Sequence, residues 1–188
     1  AGRTRAVVKV QEGCGRTCSF CIIPRVRGAS RSRPLGSVLR EVATLVEAGQ
    51  QEIVLSGINL GQWGRDLDPG LRLESLVAAL LRQTALPRLR LSSVEPTDWS
   101  AALTALMAGE PRLARHAHLP LQSGSDAVLR RMRRRYRARD YAARVEALAA
   151  AVPLVVIGAD VRTGFPGETA EEHAETIAVL ASLPLAYL

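Results

Sequence analysis

The sequence has few cysteines, few aromatic residues and no long apolar run, and each of these shortages excludes a class of structure. Its 188 residues include three cysteines, all within positions 14–21, and an odd set this close together cannot be paired off as disulfides. Thiols left free are typical of a reducing compartment, so we expect a cytoplasmic protein. No apolar run reaches the ~20 residues of a membrane span, so no membrane partner is predicted. Aromatics make up 4% of the chain, which leaves the core to aliphatic side chains.

Lysine is also nearly absent. Lys9 is the only lysine among 25 basic residues, and these outnumber 18 acidic residues to give a net charge of +7. An arginine-rich chain of this kind favours an anionic partner, with nucleic acid ahead of membrane. The alternative is an arginine-rich surface that serves only solubility.

The three cysteines form the motif Cys14-x₃-Cys18-x₂-Cys21. Three thiolates at this spacing can surround one compact object, and a cubane iron–sulfur cluster is normally held by cysteine thiolates. Three cysteines leave one of its four irons without a protein ligand, which is where a substrate could bind metal directly. Flanking Gly13 and Gly15 are expected to let the backbone approach closely.

Two other interpretations of the triplet stay open. A structural zinc site normally needs four ligands, and the nearest histidines, His116 and His118, are far along the chain. Three inert, buried cysteines would require neither this spacing nor the flanking glycines.

Strand-like and helical segments alternate along the chain, which predicts a parallel sheet with helices outside it. The strands are expected at residues 6–11, 52–56, 88–93, 115–119 and 154–160, with a sixth opening at 185–188. The helices are expected at residues 37–48, 73–83, 98–107, 126–135, 140–151 and 171–182, the last with a capping box from Thr169 to Glu172.

Several predicted strands place polar residues at alternate positions, such as Lys9 with Gln11 and His116 with His118. Strands of a flat sheet covered on both faces should be almost entirely apolar. We therefore predict a curled sheet, an open partial (β/α)₆ barrel of the TIM type, with its site at the carboxyl ends of the strands. The cysteine loop follows the first strand and lies at that rim.

At this point the chain resembles the radical S-adenosylmethionine enzymes and, within them, the methylthiotransferases that act on transfer RNA. The resemblance covers essentially the whole chain and rests on the cysteine motif together with residues 22–28, 30–34, 119–125, 132–136 and 164–169. It implies a [4Fe-4S] cluster held by Cys14, Cys18 and Cys21. It also implies S-adenosylmethionine bound to the open iron and cleaved to a 5′-deoxyadenosyl radical, which takes a hydrogen from the substrate adenine.

The resemblance also implies a set of residues near the cofactors, all at the ends of strands or in rim loops. They are Phe20, Gly57, Asn59, Ser93, Glu95, Gln122, Ser123, Arg134, Asp160 and Phe165. Turn or capping roles remain alternatives for Asn59 and Ser93, and a solvated charge remains one for Arg134. His116 and His118 are expected inside the barrel rather than on a metal.

Four arginines follow the cysteine loop closely, and we expect them to meet RNA phosphates or to balance the cluster charge: Arg25, Arg27, Arg31 and Arg33. The expected partners are a tRNA anticodon stem-loop and a reductant for the cluster.

Residues 55–64 and 90–96 resemble the branch that modifies N6-threonylcarbamoyladenosine. The branches acting on isopentenyladenosine or on a ribosomal protein, and a non-catalytic iron–sulfur or zinc module that binds RNA, are the alternatives.

We expect residues 1–188 to be one radical S-adenosylmethionine domain cut from a longer protein. The family carries an N-terminal domain with three further cysteines for a second cluster, and a C-terminal RNA-binding domain. Neither is present here, so this domain alone is not expected to complete methylthiolation.

Overall fold

The computed structural model describes residues 5–188. Within these residues, six strands and seven α-helices follow one another, with at least one helix between consecutive strands. The strands are β1 (Ala6–Glu12), β2 (Arg31–Ser32), β3 (Ile53–Gly57), β4 (Leu89–Leu91), β5 (His116–His118) and β6 (Val156–Gly158). The helices are α1 (Ile23–Arg27), α2 (Leu35–Glu47), α3 (Leu73–Gln83), α4 (Ala101–Gly109), α5 (Asp126–Arg131), α6 (Ala138–Ala151) and α7 (Ala170–Ser182).

The strands form a curled, open parallel sheet. One part has the order β2-β1-β3-β4, in which only the β1–β2 pair is antiparallel, and β5 pairs with β6 in parallel. Hydrogen bonds from Ala114 N to Leu89 O and from Val94 N to His118 O connect the two parts between β4 and β5. The predicted open partial barrel is therefore confirmed.

The core lies between the convex side of this sheet and the helices, and it is mainly aliphatic as expected. Val8, Val10, Ile53 and Leu55 of the first parallel strands are fully buried there. The alternate positions carry the polar residues that predicted the curl. Among the residues described, no helix is both long and apolar enough to cross a membrane.

Polar side chains on the concave side pack against one another. The rings of His116 and His118 both stack on Tyr187, and His116 Nε2 lies 2.8 Å from the Tyr187 hydroxyl. Burial, followed by the charge of Arg90, lowers the pKa of His116. Both histidines lie inside the barrel, as predicted.

Helix α5 ends four residues earlier than the predicted helix 126–135. Arg133 adopts a left-handed backbone with φ of 57°. The peptide NH of Arg134 then bonds Leu129 O and that of Arg133 bonds Arg130 O, which is the Schellman arrangement that ends a helix. Arg134 consequently leaves the helix surface and turns inward.

Other differences are smaller. The sequence did not predict the five-residue helix α1 or the two-residue strand β2, both too short for a periodic pattern. The sixth parallel strand is reduced to a bridge between Gly158 and Tyr187. The capping box of α7 is present, with Glu172 N donating to Thr169 Oγ1 and Thr169 N donating to Glu172.

Candidate active site at the cysteine loop

The cysteine loop, residues 13–30, is closed at its base by backbone contacts. Cys14 N donates to Gly28 O over 3.0 Å, and Gly13 adopts a φ of +68° there. A Cβ on Gly13 would stand 1.9 Å from Ala29 O, so this position requires glycine. A Cβ on Gly15 would meet nothing within 4 Å, so the predicted close approach at Gly15 is wrong.

The outer part of the loop is attached to the end of helix α5. Ser19 N donates to Met132 O over 3.2 Å, and Ser19 Oγ donates to Arg131 O over 2.8 Å. The early end of α5 thus serves both to anchor the cysteine loop and to direct Arg134 toward it.

The three thiols line one cavity of about 170 Å³, which we call the cysteine cavity. Five other predicted site residues line it with them: Phe20, Asn59, Glu95, Gln122 and Arg134. Arg16, Ile23 and Ile58 complete its wall. Sequence analysis missed these three, although Arg16 lies inside the cysteine motif itself.

Arg134 is the main charge of the cysteine cavity. Its side chain is 4% exposed, forms an ion pair with Glu95 and places Nη1 3.4 Å from the Cys18 sulfur. Burial acts to lower the pKa of Arg134, but the neighbouring Tyr136 and Glu95 raise it above its ordinary value. The guanidinium therefore stays charged, and the interpretation of Arg134 as a solvated charge is wrong.

Tyr136 holds Arg134 in position through its hydroxyl group. Its hydroxyl donates to Leu121 O over 2.7 Å and accepts from Arg134 Nε over 3.3 Å. Burial raises the pKa of Tyr136 to about 12, against the opposing influence of Arg134, so the phenol stays neutral at physiological pH.

Asn59 and Gln122, which both line the cysteine cavity, have positive φ angles of 52° and 70°. Asn59 Nδ2 points to the Cys14 sulfur at 3.6 Å, and its buried Oδ1 has no partner among the described residues. Gln122 Oε1 accepts from Arg162 Nε over 3.0 Å. Uncommon backbone conformations of this kind are concentrated at functional sites.

The strands approach each other closely beside this site. The β1–β3 register shifts between Lys9 and Gln11, and a Cβ on Gly57 would stand 2.6 Å from that of Gln11. Gly57 therefore allows the end of β3 to pass close to Gln11 of β1, where the chain leads into the cysteine loop.

The remaining predicted cofactor residues lie outside the cavity wall. Phe165 packs edge-on against Phe20, with ring centroids 6.4 Å apart, and the Arg162 guanidinium lies 4.4 Å from the Phe20 ring centroid. Ser93 Oγ lies 2.7 Å from His118 Nδ1, and Asp160 Oδ1 lies 3.5 Å from His118 Nε2. Ser93 and Asp160 thus contact the two ring nitrogens of His118, and Phe165 contacts Phe20 of the cavity wall.

The Ser123 side chain forms its hydrogen bonds in the protein interior. Its fully buried hydroxyl lies 3.1 Å from Thr176 Oγ1 of helix α7 and accepts from Ser125 N. The structure does not bring this side chain to the cysteine cavity.

The four arginines after the cysteine motif are dispersed. Arg27 pairs with Glu12 at 3.3 Å, and Arg33 pairs with Glu41 at 2.5 Å while also donating to Lys9 O. Arg25 and Arg31 are exposed, and Arg25 lines an open surface pocket beside Cys18 and Cys21.

The donor set of the cysteine cavity fits a sulfur-ligated cluster. Within residues 5–188 no three His, Cys, Asp or Glu side chains form a set that could hold a single metal ion. The three thiols line one cavity, and hydrogen-bond donors of Arg134, Asn59 and the Arg16 peptide point at the sulfurs of Cys18 and Cys14. Such donors stabilise an anionic cluster and tune its potential.

A family model described as the Radical SAM superfamily matches residues 8–180. The chain belongs to the Radical SAM superfamily, whose members use a [4Fe-4S] cluster and S-adenosylmethionine.

The chain is also similar to curated tRNA-modifying enzymes. The chain is 41% identical over 174 residues to the threonylcarbamoyladenosine tRNA methylthiotransferase MtaB of Bacillus subtilis, covering 93% of this chain and 39% of that protein. It is 44% identical over 181 residues to a tRNA-2-methylthio-N(6)-dimethylallyladenosine synthase of a Parafrankia species, covering 96% of this chain and 36% of that protein. The chain thus spans less than half the length of these relatives.

Solved structures agree on the fold. The radical S-adenosylmethionine methyltransferase TsrM from Kitasatospora setae gives a TM-score of 0.78 at 17% identity, over 96% of this chain and 34% of that one. Methylornithine synthase (PylB) gives 0.65 at 14% identity, over 98% and 52%. A second TsrM structure, with a TM-score of 0.76 at 17% identity over 94% and 34%, contains a bound [4Fe-4S] cluster.

Proposed function

We propose that this chain is the radical S-adenosylmethionine domain of a tRNA methylthiotransferase. The enzyme would add a methylthio group to the adenine C2 of N6-threonylcarbamoyladenosine beside the anticodon. The observation that carries the proposal is identity above 40% to tRNA methylthiotransferases over more than nine-tenths of the chain. That match includes the loop that lines the cysteine cavity.

In this proposal Cys14, Cys18 and Cys21 hold the [4Fe-4S] cluster and leave one iron for S-adenosylmethionine. When bound and reduced by a partner protein, the cluster supplies the electron that cleaves the sulfonium of S-adenosylmethionine. Arg134 and Asn59 direct positive charge and an amide NH at the thiolates. Phe20, Ile23 and Ile58 keep water away from the same volume.

Residues 55–64 and 90–96 are the basis for the threonylcarbamoyl substrate. The alternative is a dimethylallyladenosine substrate, which the 44% identity to the Parafrankia protein favours. The two substrates differ in chemistry, because one carries a carboxylate and the other a hydrocarbon.

The test uses the protein at its full length, reconstituted anaerobically with iron and sulfide. It is incubated with S-adenosylmethionine, a reductant and anticodon stem-loops bearing threonylcarbamoyladenosine, dimethylallyladenosine or adenosine. We expect mass spectrometry of the nucleosides to show a methylthio group only on the threonylcarbamoyl RNA. Product only on the dimethylallyl RNA would establish the alternative. Cleavage of S-adenosylmethionine with no RNA product would place the protein in another branch.

A further inference from the structure

A second cavity, of about 430 Å³, adjoins the cysteine cavity and shares Arg16 and Asn59 with it as wall residues. Its lining consists of polar side chains and one glycine, without an apolar side chain. We call it the arginine cavity, because Arg16, Arg65 and Arg135 all line it.

The charges of the arginine cavity do not balance. Asp98 is its only carboxylate, and its buried side chain binds Arg16 at 2.7 Å and Arg65 at 3.0 Å. Gln62 Nε2 also donates to Asp98 over 2.6 Å. Arg135 forms no ion pair within residues 5–188, so three arginines line this cavity against one carboxylate.

One donor of the arginine cavity is also unused. Arg16 Nε is buried and has no hydrogen-bond partner among the described residues. A buried donor without a partner is costly, and guanidiniums bind planar oxyanions with paired hydrogen bonds. Excess positive charge and an unused donor together indicate a site for an oxyanion.

We propose that the arginine cavity binds the carboxylate of the threonylcarbamoyl group while the adenine lies against the shared wall of Arg16 and Asn59, next to the cluster and S-adenosylmethionine of the cysteine cavity. This rests on the proposed function and deepens it by naming residues that select the substrate. The shared wall of Arg16 and Asn59 lets one nucleoside reach both cavities. A dimethylallyl group would instead strip water from guanidiniums without replacing its hydrogen bonds. An RNA phosphate offers the same oxyanion chemistry, and the test separates the two sources.

The test measures equilibrium binding of the full-length protein to two anticodon stem-loops. One carries threonylcarbamoyladenosine, and the other carries its uncharged carboxamide analogue at the same position. Arg65→Gln and Arg135→Gln are compared with Arg82→Gln, a control with the same charge change on the exposed end of helix α3. We expect the wild type to prefer the carboxylate RNA, and each cavity variant to reduce that preference about tenfold, the effect of one charge-assisted bond. The control should keep it.

Three results would overturn the proposal. If both variants of the arginine cavity weaken the binding of the two RNAs equally, the bound oxyanion is a phosphate of the RNA. Equal binding of both RNAs by the wild type also rejects the carboxylate. If the wild type methylthiolates threonylcarbamoyl RNA but the cavity variants keep its preference, this inference fails while the proposed function stands. A wild type that yields no methylthio product fails the proposed function separately. Arg65 is 44% exposed, so its variant is expected to fold, which a thermal unfolding scan checks.

Discussion

The cysteine cavity and the arginine cavity share a wall but hold their charges differently. In the cysteine cavity Arg134 is 4% exposed and is bound on several sides, by Glu95, Tyr136 and Cys18. In the arginine cavity Arg65 is 44% exposed and binds Asp98 alone. The first cavity is therefore arranged before any ligand arrives, whereas the second retains solvated side chains that can adjust. A reactive cofactor needs a site whose charges are fixed before it binds. Recognition of a variable substituent allows a site whose side chains can adjust.

The largest effect should come from the thiols, which line the cysteine cavity and not the arginine cavity. Cys14→Ala, Cys18→Ala and Cys21→Ala should each lose almost all cluster iron, because two thiolates cannot hold a cubane. Iron content and visible absorbance after anaerobic reconstitution measure this loss. Thr17→Ala, an exposed position between two of the cysteines, is the control and should retain iron. A cysteine variant with full iron that cleaves S-adenosylmethionine would refute the assignment.

A second comparison removes one guanidinium from each cavity. Arg134→Met should destabilise the protein by about 3–5 kcal/mol, because it leaves the Glu95 carboxylate without its buried partner. Arg65→Met should cost about 1 kcal/mol or less, since its pair is partly solvated. Urea unfolding gives both values. Adding Glu95→Gln to Arg134→Met should recover part of the loss, and equal costs at Arg134 and Arg65 would contradict the distinction between the cavities.

Gly13 and Gly15, the two glycines beside Cys14, allow a matched test of how rigid the backbone of the cysteine loop is. Gly13→Ala should cost about 1–3 kcal/mol, because φ is +68° and the new Cβ meets the Ala29 carbonyl. Gly15→Ala, at the arginine cavity, has open space and is the matched control. Thermal unfolding of the unloaded protein compares the two. Similar losses would mean that the base of the cysteine loop is adaptable.

The smallest effect is expected from arginines that line neither cavity. Neutralising Arg25 and Arg31 together should weaken tRNA binding by the full-length protein and flatten its salt dependence by about two units of slope. Arg27 and Arg33 are less suitable because acidic side chains already pair with them. The control is Arg82→Gln with Arg40→Gln, which removes the same charge from exposed positions of helices α3 and α2 that form no ion pair within residues 5–188. Loss of iron with unchanged RNA affinity would assign Arg25 and Arg31 to the cluster instead.

Much of the fold was predictable from the sequence. Alternating apolar and polar positions predicted the strands, and the bounds of helix α3 agree with the predicted 73–83. The polar positions of β1 and β5 also predicted the curl of the sheet. The end of helix α5 was not predictable, because arginines occupy 130, 131 and 133–135 without a break in pattern and only the left-handed turn at Arg133 stops the helix. A helical pattern carries no signal for such a turn when glycine is absent.

By itself the sequence determined that three thiols share one loop, that the loop follows the first strand, and that polar positions line the inside of a curled sheet. These are consequences of spacing and periodicity along the chain. Only the tertiary structure decided that Arg134 is buried against Glu95 and Cys18, that Ser123 is used by Thr176, and that Arg16, Arg65 and Asp98 meet in a second cavity. Such partners lie far apart in sequence, and the strength of a charge depends on its burial and neighbours, which residue order does not encode locally.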